Sequence, residues 1–205
     1  MKKGLEEELK EIWLLRHATK QKIEGATMVS PESGLTEIGV LKARRVARML
    51  LNLSMAFKKV LASPLPRAYQ TGTVISLMLG MGYPEILMGL AGPYLERWGE
   101  IALGLKSHGC KDFFEADPAF VKSEGERVFK EVTSIAAPME CGERVLCISH
   151  GGYIEPCAAV ALGGNFDEKL LTIKDMGEGE GMIFYFNSEN SFVKLKEFRL
   201  PSIDE

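Results

Sequence analysis

Four apolar residues, Ile12-Trp13-Leu14-Leu15, run without a break into Arg16 and His17. A short continuous run of this kind predicts a strand buried on both faces. The signature recurs at Val60-Leu61-Ala62 and at Val145-Leu146-Cys147-Ile148, with a further strand expected at Glu85-Ile86-Leu87-Met88. Between these runs the apolar residues return at helical spacing. Ile38, Leu41, Val46, Met49, Leu50 and Leu53 predict a helix capped by Thr36 with Glu37 in its first turn. Thr71, Val74, Ile75, Met78 and Leu79 predict a second, with Pro66 in its first turn and Gly80 and Gly82 at its end. Ser123 and Glu126 have the spacing of a capping box for a third, whose apolar face is Val128, Val132, Ile135 and Ala136. Tyr153 to Leu162 predicts a fourth, and the strand-like runs Met182 to Phe186 and Phe192 to Lys196 predict a closing hairpin.

Strands and helices in this order predict an α/β protein: a three-layer sandwich with a mostly parallel central sheet, an antiparallel portion near the end of the chain, and helices on both faces. The 205 residues show no repeat, low-complexity block or linker, so a single domain spanning 1–205 is expected. Two stretches stand apart from the alternation. Residues 18–34 are polar and read as a loop leaving the first strand. Residues 91–122, broken by Gly92-Pro93, Gly104, Gly109 and Pro118, are expected to form a small cap-like excursion over the sheet's end.

Composition narrows the function classes. With 46% hydrophobic and 26% charged residues the sequence is that of a globular protein, and no apolar run approaches the roughly 20 residues of a membrane span. A net charge of −3 supplies no basic field for nucleic acid, so an anionic ligand must be held by local cations. Glu6, Glu7, Glu8, Lys10 and Glu11 follow Met1-Lys2-Lys3 where a signal peptide would be apolar, which reads as cytoplasmic. The four cysteines, Cys110, Cys141, Cys147 and Cys157, contain no C-x-x-C pair and read as reduced thiols.

Open parallel sheets bind ligands at the carboxyl ends of their strands, and three predicted strands end in polar groups. Arg16 and His17 follow the first, Ser63 and Arg67 the second, and His150 follows Val145 to Ser149. Two of the chain's three histidines thus stand at one edge of the sheet beside two arginines. That combination suits phosphoryl transfer. A neutral imidazole can attack phosphorus, splitting one displacement into two, while guanidinium groups bind the phosphate oxygens bidentately. Gly151-Gly152 ahead of a helix adds backbone N–H donors for an anion.

These motifs resemble those of the histidine phosphatase superfamily, also called the phosphoglycerate mutase-like family. Leu15-Arg16-His17-Ala18 resembles its R-H-G signature, and Gly34-Leu35-Thr36-Glu37-Ile38-Gly39 its L-T-x-x-G segment. Ala62 to Thr71 resembles S-P-x-x-R-A-x-Q-T, Gly125-Glu126 its G-E, and Ser149-His150-Gly151-Gly152 its second histidine motif. The resemblance implies that His17 is the nucleophile and that Arg16, Arg67 and His150 form the phosphate pocket. Ser63, Thr19 and Gly151 line it. Leu95-Glu96-Arg97-Trp98-Gly99 resembles the family's L-x-E segment, which makes Glu96 the proton donor with Glu100 in reserve. Ala18 departs from the family's glycine, and Thr19-Lys20 from the residues common there.

The implied activity is that of a histidine acid phosphatase-like phosphoric monoester hydrolase. It would need neither metal nor other cofactor and would pass through a phosphohistidine on a small phosphorylated metabolite. Alternatives are a phosphoglycerate mutase-like phosphotransfer and a non-catalytic module that binds a phosphorylated ligand. The excursion at 91–122 is short for shielding a phosphoenzyme, which favours the phosphatase. The sequence leaves oligomeric state open, and sugar phosphates, a nucleotide-pathway phosphate and protein phosphohistidine as substrates. Gly177-Glu178-Gly179-Glu180-Gly181 lacks the lysine and Ser/Thr of a nucleotide loop and reads as a turn into the hairpin. No G-x-S-x-G surrounds Ser149, and His17, His150 and Glu96 lack zinc-ligand spacing. Lys106, His108 and Lys111 read as solvated loop side chains.

Overall fold

A computed structural model of the protein describes residues 8–22, 31–93, 95–105 and 109–201. Met1-Lys2-Lys3, Lys106 and His108 lie outside the described residues. The apolar runs form the strands β1 (Lys10–Arg16), β2 (Lys59–Ala62), β3 (Glu85–Ile86) and β4 (Arg144–Ser149), joined by the hairpin β5 (Gly181–Phe186) and β6 (Phe192–Phe198). They make one sheet in the order β3-β2-β4-β1-β5-β6. The first four in that order are parallel, and β5 and β6 run antiparallel beside β1.

Alternation along β1 sorts its side chains into two cores. Ile12 and Leu14 join Val128, Val132 and Cys157 on one face, while Trp13 and Leu15 join Val46, Leu50 and Ile75 on the other. Both faces of a central strand are therefore buried, which is why its sequence shows no polar alternation. The helices α1 (Glu37–Asn52) and α2 (Pro66–Met78) cover the second face. The first is covered by α5 (Pro118–Ala136) and α6 (Ile154–Leu162), with α3 (Leu95–Leu103), α4 (Cys110–Ala116) and α7 (Phe166–Thr172) packed around them. The result is the expected three-layer α/β sandwich. Among the described residues no helix is long and apolar enough to cross a membrane.

Thr36 caps α1 by accepting the Gly39 N–H at 3.0 Å, and Pro66 opens α2. The buried face of α1 keeps Val46 and Leu50 of the predicted stripe but not Ile38 and Leu41. Ile38 and Leu41 are 61% and 60% exposed, and Gly39, Ala43, Val46, Ala47 and Leu50 face inward. Close approach decides it, since a Cβ on Gly39 would lie 2.2 Å from the carbonyl oxygen of Thr19. Small residues let the first turn of α1 abut the loop that follows β1.

Two boundaries differ from the sequence pattern. α5 starts at Pro118, where Asp117 caps the Phe120 N–H at 3.1 Å, and Ser123 lies inside the helix with its hydroxyl on the Phe120 carbonyl at 2.8 Å. An Asp cap followed by proline at the first helical position is the stronger start signal and takes precedence over the Ser123–Glu126 pair. β3 stops at Ile86 and continues as a 3-10 turn over Met88–Leu90. The excursion carries the short helices α3 and α4, and their Trp98, Ile101, Cys110 and Phe113 enter the same core as α5.

Candidate active site

The parallel ladder continues one residue past the strands. His17 N–H donates to the Ser149 carbonyl at 2.9 Å, and Ser63 N–H to the Ile148 carbonyl at 2.9 Å. With Arg16 paired to Ser149 and Ala62 to Ile148, the register sets His17, His150 and Ser63 side by side. The two imidazole centroids are 5.1 Å apart. Arg67, in the first turn of α2, brings Nε to 3.2 Å from His17 Nε2. A cavity of about 600 Å³ opens over this edge, lined by Arg16, His17, Thr19, Lys20, Arg67, His150 and Gly151 among others.

His17 is set by its two ring nitrogens. Nδ1 lies 2.7 Å from the Ala18 carbonyl, which can only accept, so the proton sits on Nδ1 and the lone pair on Nε2. Burial and the nearby Arg67, Arg16 and Lys20 lower its pKa to about 3, against the support of the Ala18 hydrogen bond. His150 is likewise held far below the usual range, by burial first and then by His17 and the cations. Both rings are therefore neutral at physiological pH. His150 Nε2 is 2.8 Å from Ser63 Oγ, and its Nδ1, though buried, has no partner among the described residues.

Arg16 is held from behind. One terminal nitrogen donates to the Met176 carbonyl at 2.7 Å, while Nε is buried without a partner. Its side chain lies against Gly151, where a Cβ would come within 3.0 Å of Nε. Ala18 is fully buried, and its N–H reaches Thr71 Oγ1 at 3.1 Å. Its φ is not positive, since among the described residues only Ser54 and Asn190 of the non-glycines have that sign. The backbone there has no need of a glycine, so the departure at Ala18 leaves the loop geometry intact.

Other groups were not legible as site residues. Lys20 joins the lining, and burial beside Arg67 and Arg16 lowers its pKa to about 8. Glu178, from the glycine-rich run between α7 and β5, also lines the cavity and accepts the Thr19 hydroxyl and the Lys42 ammonium, each at 2.5 Å. Although burial opposes it, those two contacts hold its carboxyl below the usual range. Thr19 thus commits its only proton to Glu178 and has none for a phosphate. Glu155 is a buried cavity carboxylate that accepts the Gly152 N–H at 2.9 Å and the Met176 N–H at 2.8 Å. Nothing in the local sequence separates Glu155 or Glu178 from surface glutamates, because the partners of each come from distant elements.

The expected acid is not brought to the site. Glu96 is exposed and absent from the cavity lining, which takes Leu95 and Trp98 from α3 instead. Glu100 is exposed too and pairs with Arg97 at 3.1 Å. The cause is helical register: the inward face of α3 is Trp98, Gly99, Ile101 and Ala102, so residues 96, 97 and 100 turn to solvent.

Fold and site together define an α/β protein in which two neutral histidines and Arg16 at the ends of central parallel strands meet Arg67 from the first turn of α2 in one cavity. The family model described as histidine phosphatase superfamily (branch 1) matches residues 12–105. The match includes His17 and Arg67 and ends before His150. No curated protein matches the chain. Among solved structures, a mycobacterial glucosyl-3-phosphoglycerate phosphatase is similar at 19% identity and a TM-score of 0.66, over 93% of this chain and 98% of that one. A phosphoserine phosphatase from Entamoeba histolytica is similar at 19% identity and 0.64, over 94% and 98%. The protein histidine phosphatase SixA, solved with tungstate, follows at 16% and 0.55, over 91% and 96%. At such identities the likeness establishes the fold.

Proposed function

We propose that the protein is a phosphomonoesterase that works through a phosphohistidine at His17 and uses neither metal nor cofactor. The observation that carries this reading is the state of His17, with Nδ1–H fixed on the Ala18 carbonyl and the Nε2 lone pair turned to the cavity side, where it accepts from Arg67 Nε at 3.2 Å until a phosphate takes that guanidinium. Nε2 attacks phosphorus, the bond from phosphorus to the ester oxygen breaks, and that oxygen leaves with the electron pair. Water then attacks the phosphohistidine, the N–P bond breaks, and inorganic phosphate leaves with His17 neutral again.

The other groups answer the phosphate's charge. Arg16, with Nε unpartnered, and Arg67 supply guanidinium donors to the equatorial oxygens. A Ser63 hydroxyl that donates to His150 Nε2 leaves Nδ1 as an N–H donor, which gives that unpartnered atom a phosphate oxygen to bind. Glu178, ionised by Thr19 and Lys42, keeps the 19–20 segment in place rather than binding the anion.

The test compares wild type with His17→Ala on p-nitrophenyl phosphate and on 3-phosphoglycerate. Phosphate release by wild type alone is expected. Conversion of 3-phosphoglycerate to its isomer without release would make the protein a mutase, and absence of turnover on a panel of phosphomonoesters would leave only a binding role.

A further inference from the structure

The cavity over His17 has two unlike parts. Its phosphate side is built from Arg16, His17, Lys20, Arg67 and His150, at the ends of β1 and β4 and in the first turn of α2. Another part of its wall comes from α3, α4 and the turn after β4, as Leu95, Trp98, Cys110, Phe113 and Tyr153, with the polar Gln21, Ser33, Glu155 and Asp175 also in the lining. Trp98 is the centre of that wall, with ring centroids 5.0 Å from Phe113, 5.1 Å from Phe120 and 5.3 Å from Tyr153, all edge-on. Gly152, at φ +85°, lies beneath it, and a Cβ there would sit 3.5 Å from the indole ring. Tyr153 in turn packs 5.9 Å from His150. The aromatic surface therefore begins immediately beside the phosphate-binding groups, and about 600 Å³ leaves room for a leaving group against it.

A second observation concerns the proton that a departing oxygen needs. Glu96 and Glu100 point to solvent, and Arg97 between them pairs with Asp117 at 2.5 Å and Glu100 at 3.1 Å. The cavity carboxylates among the described residues each accept hydrogen bonds from their own surroundings, Glu155 with its pKa raised by burial. Glu178 holds Thr19 and Lys42, Glu155 holds two backbone N–H groups, and Asp175 accepts the Cys110 N–H at 3.0 Å. A phenol, with a pKa of about 10, can leave as its anion where an aliphatic alcohol, nearer the roughly 16 of water, cannot.

We infer that the substrate is an aryl phosphate, with its phosphate between Arg16, Arg67 and the two histidines and its ring against Trp98 and Phe113. This rests on the phosphatase reading and adds to it the class of leaving group. Free aryl phosphates and phosphotyrosine within a peptide share this chemistry. A planar ring can meet the locked indole edge-on or offset, a packing that a polyol chain cannot reproduce.

The experiment measures kcat and KM of wild type on phenyl phosphate, benzyl phosphate and glycerol 3-phosphate, and on phosphotyrosine both free and in a peptide. Benzyl phosphate separates the ring from the leaving oxygen, being aromatic in body but an alkyl ester in chemistry. Expected are KM values for phenyl and benzyl phosphate at least about tenfold below that of glycerol 3-phosphate, the gain of burying one ring. The kcat should be highest for the phenyl ester, and the phosphotyrosine pair then tells a small from a protein-borne source. Trp98→Leu is expected to raise KM for phenyl phosphate about tenfold and to lower the ratio of aryl to alkyl turnover. The wild-type series decides the matter even where that variant does not fold. Equal or better efficiency on glycerol 3-phosphate, still dependent on His17, overturns the aryl assignment and leaves the phosphatase standing. No His17-dependent release from any ester overturns both.

Discussion

Lowering pH from 7.5 to 5.5 should destabilise the protein by an amount that its two site histidines set. His17 keeps a pKa of about 3 in the folded state, and His150 lies well below the usual 6.5. In the unfolded chain both titrate normally. The unfolded state therefore binds more protons below pH 6.5, and folding stability, complete above that value, is lost progressively as pH falls toward the folded pKa. For a group that stays neutral when folded, the loss by pH 5.5 is RT ln(1 + 10), about 1.4 kcal/mol, or about 3 kcal/mol for the pair. Glu155, whose burial raises its pKa, has the opposite sign and gains stability as pH falls. A variant with the same Glu155 removes that contribution by difference. Urea unfolding at the two pH values is the assay, and His17→Gln should lose about 1.4 kcal/mol less than wild type between them. An identical drop in both proteins would show that His17 is protonated in the fold, and the neutral nucleophile would have to be abandoned.

Two further outcomes follow from positions the structure fixes. Glu96→Gln is expected to change hydrolysis of alkyl phosphates by less than about twofold, against the loss of about 100-fold that removing a general acid brings. A larger, alkyl-specific loss in steady-state assays would return Glu96 to the reaction. Gly181→Ala places a Cβ 2.0 Å from the Leu14 carbonyl oxygen and 2.8 Å from Leu15 Cα, between the paired strands β1 and β5. Overpacking there should cost about 3 kcal/mol, and an unchanged urea midpoint would contradict the strand spacing.

The legible part of this protein is what local pattern encodes. Buried parallel strands are continuous apolar runs, and the groups directly after them, Arg16, His17, Ser63 and His150, inherit their position from the strand register. That is why four residues far apart in sequence could be brought together before any coordinates. Glu96 fails for a related reason. Its place depends on which side of a nine-residue helix faces inward, and a motif shifted by one residue rotates a side chain by about 100°. Glu155 and Glu178 were invisible because each owes its role to partners on other elements, Met176 for the one and Thr19 and Lys42 for the other. Ile38 and Leu41 of α1 misled in another way, since contact with Thr19 demanded small residues there.

The glycine-rich run before β5 bears on the order in which the molecule assembles. Gly179 N–H donates to the Arg16 carbonyl at 3.0 Å, and Arg16 N–H to the Glu180 carbonyl at 2.7 Å, so the first strand's carboxyl end is tied to a turn far along the chain. The other neighbour of β1, β4, also comes from the later half. A nascent chain that has delivered β1 to β3 can pair β2 with β3, but β1 has no neighbour in the sheet until β4 emerges. Loop closure of that length must be met before the pairing of β1 rewards it, which makes folding slow and late. Phosphate affinity would then report the completion of the sheet, appearing only when residues beyond Gly181 are free to pair.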